Sequence, residues 1–204
     1  MRQASRVALV LLTLAAMAGV AAAQDKLELF VGYSYLRPSM NYEQQLQCEV
    51  IIGCPAPPPI LVTTHPNLNG YEFSATYKLM PWLGVTGDFS GQYGTVTGNS
   101  SAHVQTFLFG PEVSLHRKVS PFVHVLVGGV HQSIGAGITP ITGFSASVIP
   151  TSGNSFAAAL GGGIDLRLVR FISVRPVQVD YLLTRAYSST QNQPRVSAGL
   201  VLRF

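Results

Sequence analysis

Six of the nine acidic side chains in this 204-residue chain fall at alternate positions within segments rich in aromatic and β-branched residues: Glu28, Glu72, Asp88, Glu112, Asp165 and Asp180. Lys78, Arg167, Arg195 and Arg203 occupy matching positions in the same kind of segment. If those positions face an enclosed interior, the charges must pair and hydrogen-bond, because an isolated buried charge neutralises instead. Such a set can serve as a structural plug of ion pairs or line a narrow conducting path.

Other residue types suggest other chemistries. His131-Gln-Ser133 pairs a base with a hydroxyl nucleophile, but nucleophilic catalysis also needs an acid to orient the imidazole. The next acid along the chain is Asp165, expected lower in the fold, so the orienting group is missing and the pair reads as chance. Cys48 and Cys54, in Cys48-Glu-Val-Ile-Ile-Gly-Cys54, lack redox-active Cys-x-x-Cys spacing. In an exported chain they are expected to form a structural disulfide, followed by the stiff Pro55-Ala-Pro-Pro-Pro59 run. Two cysteines with His65 make a weak metal set, and His65, His103 and His116 show no ligand spacing, so no metal and no cofactor are expected. Gly161-Gly-Gly163 lacks the phosphate-loop pattern and opens no helix; small residues there are expected to make room for inward side chains. Asn99-Ser-Ser101 matches a glycosylation acceptor by chance.

Composition narrows the class. Only 11% of the residues are charged, against about 25% in an average soluble domain. The bases are scattered, so nucleic acid is not an expected partner. Residues 1–23 read as a secretory signal: Arg2 and Arg6 precede an apolar run from Val7 to Val20, and Ala21-Ala22-Ala23 offers a cleavage site. Gln24 is then the mature N-terminus, and residues 24–204 form one domain. Loss of the two arginines lowers the formal net charge from +4 to +2. After residue 23 no apolar run is long enough for a membrane helix, which needs about 20 residues.

Period-two alternation predicts eight strands, at about 26–38, 69–79, 82–92, 102–115, 120–131, 156–168, 172–185 and 194–204. The connections alternate in length, with short turns at 80–81, 116–119 and 169–171, and longer segments at 39–68, 93–101, 132–155 and 186–193. An up-and-down barrel with short periplasmic turns and longer outer loops has that alternation. In the first strand Leu27, Leu29, Val31, Tyr33 and Tyr35 oppose Glu28, Phe30, Gly32 and Ser34, and the other strands divide similarly. The fifth is ambiguous: Val123, Val125 and Val127 make a lipid face only if Phe122, His124 and Leu126 turn inward. In the seventh, unbroken alternation turns Arg175 outward, and a bulge at Pro176 would turn it inward.

The aromatic face carries few polar groups in any strand, a surface suited to lipid, since a closed barrel satisfies its backbone hydrogen bonds within hydrocarbon. Tyr33, Tyr35, Tyr71 and Tyr93 are placed near the outer interface, with Tyr77, Trp82, Phe171 and Phe204 near the inner one. A soluble periplasmic carrier of lipocalin type is the rival; it would turn the aromatic face inward and expose the acids.

The last segment, Arg195-Val-Ser-Ala-Gly-Leu-Val-Leu-Arg-Phe204, resembles the C-terminal strand of outer-membrane barrels, whose terminal Phe is the signal for the barrel-assembly machinery. Trp82-Leu-Gly-Val-Thr-Gly-Asp88, Phe109-Gly-Pro-Glu-Val113, Pro121-Phe-Val-His124, Leu160-Gly-Gly-Gly-Ile-Asp165 and Arg175-Pro-Val-Gln-Val-Asp-Tyr181 resemble the bacterial outer-membrane β-barrel domain family, the OmpA/OmpX-like small barrels. The resemblance implies an all-β, eight-stranded antiparallel transmembrane barrel in the bacterial outer membrane. It supplies no catalytic residues, and because the chain ends at the barrel, no peptidoglycan-binding domain is expected. Some outer-membrane barrels that hydrolyse lipid A carry a His-x-Ser pair near a strand top, the one point of similarity for His131 and Ser133. The expectation is a non-enzymatic monomer surrounded by outer-membrane lipid, its interior filled by ion pairs. Its task is expected to be envelope integrity or surface contact through 39–68 and 132–155, the latter suited to mobility or adhesion more than to small-ligand binding.

Overall fold

The computed structural model describes residues 26–48, 58–96, 99–115, 117–141, 144–186 and 189–204. The predicted signal segment, Cys54 and His116 lie outside these residues. The described strands are β1 (Leu27–Leu36), β2 (Met40–Cys48), β3 (Ile60–Thr64), β4 (Leu68–Met80), β5 (Leu83–Val96), β6 (Ser100–Ser114), β7 (Val119–Ile134), β8 (Gly137–Ile141), β9 (Phe144–Val148), β10 (Thr151–Arg167), β11 (Ile172–Ala186) and β12 (Ser189–Arg203).

Eight of them close into an antiparallel barrel in the order β1-β12-β11-β10-β7-β6-β5-β4. Closure runs from Glu28 opposite Arg203 to Leu36 opposite Arg195. Neighbouring strands in the wall follow one another along the chain except where β2–β3 and β8–β9 intervene. The wall is therefore built from simple hairpins, with tight connections at 81–82, 115–118 and 168–171 on one end.

The ambiguous fifth predicted strand, β7, is settled by burial. Phe122, His124 and Leu126 are enclosed, while Val123, Val125 and Val127 are exposed on the outer wall. In β11 the register shifts between Arg175 and Gln178, so Pro176 and Val177 together oppose a single position of β12. That bulge turns Arg175 inward, where it is buried. Pro176 has no N–H to give to the ladder, so a bulge is where the sheet tolerates it.

Two expectations about the outer end are corrected. The 93–101 and 186–193 connections are mostly strand, because β5, β6, β11 and β12 run 14 or 15 residues. About 9–11 residues suffice to cross hydrocarbon, so the wall continues beyond it. The long 39–68 and 132–155 segments are not simply loops. They contribute β2, β3, β8 and β9 to a second, four-stranded sheet ordered β3-β2-β9-β8. Its central pairing joins Gln44 to Val148 and Cys48 to Phe144. Pro140 stands in β8, an edge strand, where a missing donor does least harm.

This second sheet is a lid. Met40 and Tyr42 of β2 and Val148 of β9 are almost wholly enclosed and join an apolar core with Leu36, Leu68, Val104, Leu126, Val130 and Leu182 from the inner wall. Each such side chain contributes about 1.5–3 kcal/mol through burial. The upper interior is thus a small hydrophobic core closed by the lid, and the charged residues lie beneath it.

Candidate functional site

The lower interior is one continuous polar network. Near the short turns, Lys78 Nζ lies 2.7 Å from Glu112 Oε1 and 3.5 Å from Glu28 Oε2, and it donates to Ser114 Oγ at 2.8 Å. Arg203 Nε is 3.2 Å from Glu28 Oε1, and Arg203 Nη2 donates to Asp165 Oδ2 at 3.2 Å. The same carboxylate receives both arms of Arg175, from Nε at 2.7 Å and Nη2 at 3.1 Å. The Arg175 guanidinium also lies over two rings, 4.6 Å from the centroid of Phe30 and 4.0 Å from that of Phe122. A planar cation between two aromatic faces gains attraction on both.

Gln178 links this layer to the next. Arg175 Nη1 donates to Gln178 Oε1 at 2.7 Å, and Gln178 Nε2 donates to Glu72 Oε1 at 2.7 Å and Asp180 Oδ2 at 2.8 Å. Arg195 is the hub of the second layer. It donates to Asp180 Oδ2 from Nη2 at 2.6 Å and from Nε at 2.9 Å, and to Asp88 Oδ1 and Ser90 Oγ from Nη1 at 2.9 and 3.0 Å. Glu72 Oε2 stands 3.4 Å from Arg195 Nε and accepts from Ser197 Oγ. His124 Nε2 lies 2.8 Å from Asp180 Oδ1. A neutral layer follows, in which Gln92 Nε2 donates to Ser34 Oγ at 3.0 Å and Ser90 and Thr106 share a hydroxyl bond of 2.6 Å.

Nine of the ten predicted interior residues meet in this network: Glu28, Glu72, Lys78, Asp88, Glu112, Asp165, Asp180, Arg195 and Arg203. Arg167 is half-buried at the turn end of β10, where its backbone N–H donates to Lys118 O at 3.0 Å. Sequence reasoning missed Gln178 as the link, His124 as a partner of Asp180 and the stacking rings Phe30 and Phe122. A Gln or an inward Phe on an alternating strand carries no signal of its partners. Gly161 does make room, but for a neighbour rather than a residue across the barrel. A Cβ there would sit 1.8 Å from Asp180 Oδ1, the oxygen that faces His124.

The outer wall has the opposite character. Val85, Phe107, Phe109, Val125, Leu160, Val179 and Leu200 are among its exposed apolar side chains. A hollow of about 670 Å³ lies on this wall around Ala75 and Gly87, framed by Phe73, Phe89, Phe107 and Phe109. It opens onto the lipid-facing surface and carries no reactive constellation. Toward the lid end, Tyr33 donates to Asn69, Tyr35 donates to Asn67 Oδ1 at 2.6 Å, and Tyr71 and Tyr93 hydroxyls lie 3.4 Å apart. Trp82, at the β4–β5 turn, and Phe171 are exposed at the other end. Phe204 closes the wall through reciprocal bonds with Leu27, its N–H donating at 2.8 Å and its carbonyl accepting at 3.1 Å.

His131 and Ser133 lie on the outer wall of β7, opposite Asn154 and Ser152 of β10. The group at His131 Nδ1 is Asn154 Oδ1, at 2.6 Å, an amide where a hydrolase needs a carboxylate. Cys48 ends β2, and the predicted partner Cys54 is outside the described residues. Asn99, in the β5–β6 turn, has φ of 59°, a left-handed conformation that Asn accepts more readily than most residues.

A closed antiparallel wall with an apolar exterior, aromatic residues at both ends and an ion-paired interior defines a transmembrane β-barrel of the small outer-membrane type. Solved structures agree on the fold. The chain is similar to the attachment invasion locus protein Ail of Yersinia pestis at 13% identity and a TM-score of 0.50, with 89% of this chain and 100% of that one covered. It is likewise similar to Neisserial surface protein A, at 9% identity and a TM-score of 0.54, covering 86% and 97% of the two chains. No family model and no curated protein matches the sequence.

Proposed function

We propose that this protein is a non-enzymatic, non-conducting outer-membrane barrel that braces the envelope and presents its lid sheet for contact with molecules outside the cell. The observation that carries this reading is the filled interior. Charged side chains join one another across the lower barrel, and an apolar core continuous with the lid fills the upper part. An eight-stranded barrel is just wide enough for side chains to fill. What remains on offer is the outer end, where Leu61 of β3 and Ile138 of β8 are about 70% exposed on a small four-stranded sheet. Adhesion through such a surface needs no catalytic group.

On this reading β12, ending at Phe204, serves as the signal for the assembly machinery, and lipid is the standing partner of the wall. The barrel is proposed as a monomer, because closure leaves no wall edge unpaired. Planar-bilayer recording of the refolded protein tests the plug. The expected result is no unitary current, and reproducible steps of one size would overturn it. Protease or biotin labelling of the lid on intact cells tests the presentation; an unlabelled lid that becomes labelled only after lysis would overturn that part.

A further inference from the structure

A crevice of about 210 Å³ lies where the lid meets the rim of the barrel. Asn41 of β2 forms one side; Gln132 and Ile134 of β7 and Thr151, Asn154 and Ser155 of β10 form the other. The lid is tied down there, since Ile149 N–H donates to Glu43 O at 3.1 Å immediately before β10 begins. The crevice is thus a built feature of two sheets and opens at the outer end.

Its chemistry is specific. Among the described residues the lining is amides, hydroxyls and one aliphatic side chain, without a charged group. Asn41 Oδ1 already accepts from Thr63 Oγ1 at 2.8 Å, while the Asn154 side chain turns to His131 on the outer wall. The first bond leaves the Asn41 amide nitrogen to be satisfied from elsewhere. Gln132 Nε2 is enclosed and has no hydrogen-bond partner among the described residues. Two amide donors, of Gln132 and Asn41, and the hydroxyls of Thr151 and Ser155, with Ile134 as an apolar patch, suit a ligand rich in hydroxyl and ether oxygens that also has a C–H face. The absence of charge disfavours phosphates, sulfates, carboxylates and amines, which need charged partners when bound this closely. The volume falls below the roughly 300–1,000 Å³ of drug-sized sites, so one ring is accommodated rather than a chain.

We propose that this crevice binds one ring of a neutral saccharide, and so names the class of molecule that the outer face contacts. The inference rests on the reading of the lid as an outward, contact-making surface.

The test uses the full mature barrel in nanodiscs of phosphatidylcholine, a lipid without sugar that would otherwise compete. Neutral oligosaccharides built from glucose, galactose, mannose and N-acetylglucosamine are titrated while the side-chain amide resonances are followed by NMR. The expected result is saturable movement of the Gln132 and Asn41 amides with at least one of them, at affinities near about 1 mM. Gln132→Leu should weaken that binding tenfold or more, and Asn41→Ala on the lid side should also weaken it without touching the wall. Amides that stay unmoved with every neutral saccharide, or that move only with sulfated or phosphorylated sugars, would overturn the proposal. The same samples are run boiled and unboiled on a gel. A heat-dependent mobility shift with silent amides rejects the saccharide site alone, whereas the absence of a shift rejects the barrel beneath it.

Discussion

Replacing Arg195 by methionine is the sharpest perturbation of the interior. Arg195 is fully enclosed and lies within 3.4 Å of three carboxylates, those of Asp180, Asp88 and Glu72. Methionine fills much of the volume but leaves Asp180 with His124 and Gln178 and Glu72 with Gln178 and Ser197, and it takes from Asp88 its bond to Arg195. Removing one partner of a buried ion pair costs about 3–5 kcal/mol, because the other charge stays buried. Arg195 serves three acids, so the upper part of that range is expected. A loss of about 4 kcal/mol corresponds to roughly a thousandfold change in the folded-to-unfolded ratio. The assay is urea unfolding of the barrel refolded into vesicles, followed by the emission of Trp82, the chain's single tryptophan, which is exposed at the β4–β5 turn. Adding Asp180→Asn should recover about 1–3 kcal/mol, as coupled neighbours do. A loss below about 1 kcal/mol, or no recovery in the double variant, would falsify the claim that Arg195 is the hub.

Arg175→Lys keeps the charge but loses the two-armed grip on Asp165 and the stack between Phe30 and Phe122, so it should lower stability by about 1–3 kcal/mol in the same assay; an unchanged midpoint would contradict the stacking argument. Val125→Arg places a cation on the exposed outer wall and should cost about 2–4 kcal/mol in vesicles if that position is near mid-bilayer, and a neutral outcome would argue against lipid there. Gly161→Val puts carbon where Asp180 Oδ1 now sits, so it should separate Asp180 from His124 and broaden or shift the His124 ring resonances; an unchanged His124 spectrum would show that the neighbouring strand yields instead.

The wall was legible because its two faces meet different solvents. Wherever lipid lies outside and charge lies inside, the sequence alternates, and Glu72, Lys78, Asp88, Glu112 and Asp180 mark the inner face unmistakably. The alternation fades in the upper half because Leu36, Val104, Leu126 and Leu182 face an apolar lid instead of polar partners, so both faces of the strand are hydrophobic. The fifth predicted strand is ambiguous because Phe122, stacked on Arg175, and Leu126, in the apolar core, make two of its three inward side chains hydrophobic. The lid itself left little local trace. Gln44 and Val148 become neighbours through long-range pairing, and Gln-rich β2 and Pro-containing β8 have weak strand character by themselves. Arg175 was undecided because a bulge moves one residue by one place, and only the partner strand shows where the extra residue sits. The rim crevice, assembled from β2, β7 and β10, had no contiguous motif at all.

The central claim is that lipid lies outside this wall and a solid interior lies within it. A spin-label scan of β7 from residue 122 to residue 127 in lipid vesicles, read by collision with oxygen and with a water-soluble nickel complex, tests it directly. Labels at 123, 125 and 127 should meet oxygen but not nickel, and labels at 122, 124 and 126 should meet neither, matching the exposed valines and the enclosed Phe122, His124 and Leu126. Labels at 123, 125 and 127 that collide freely with the nickel complex would place water on that face and contradict the account.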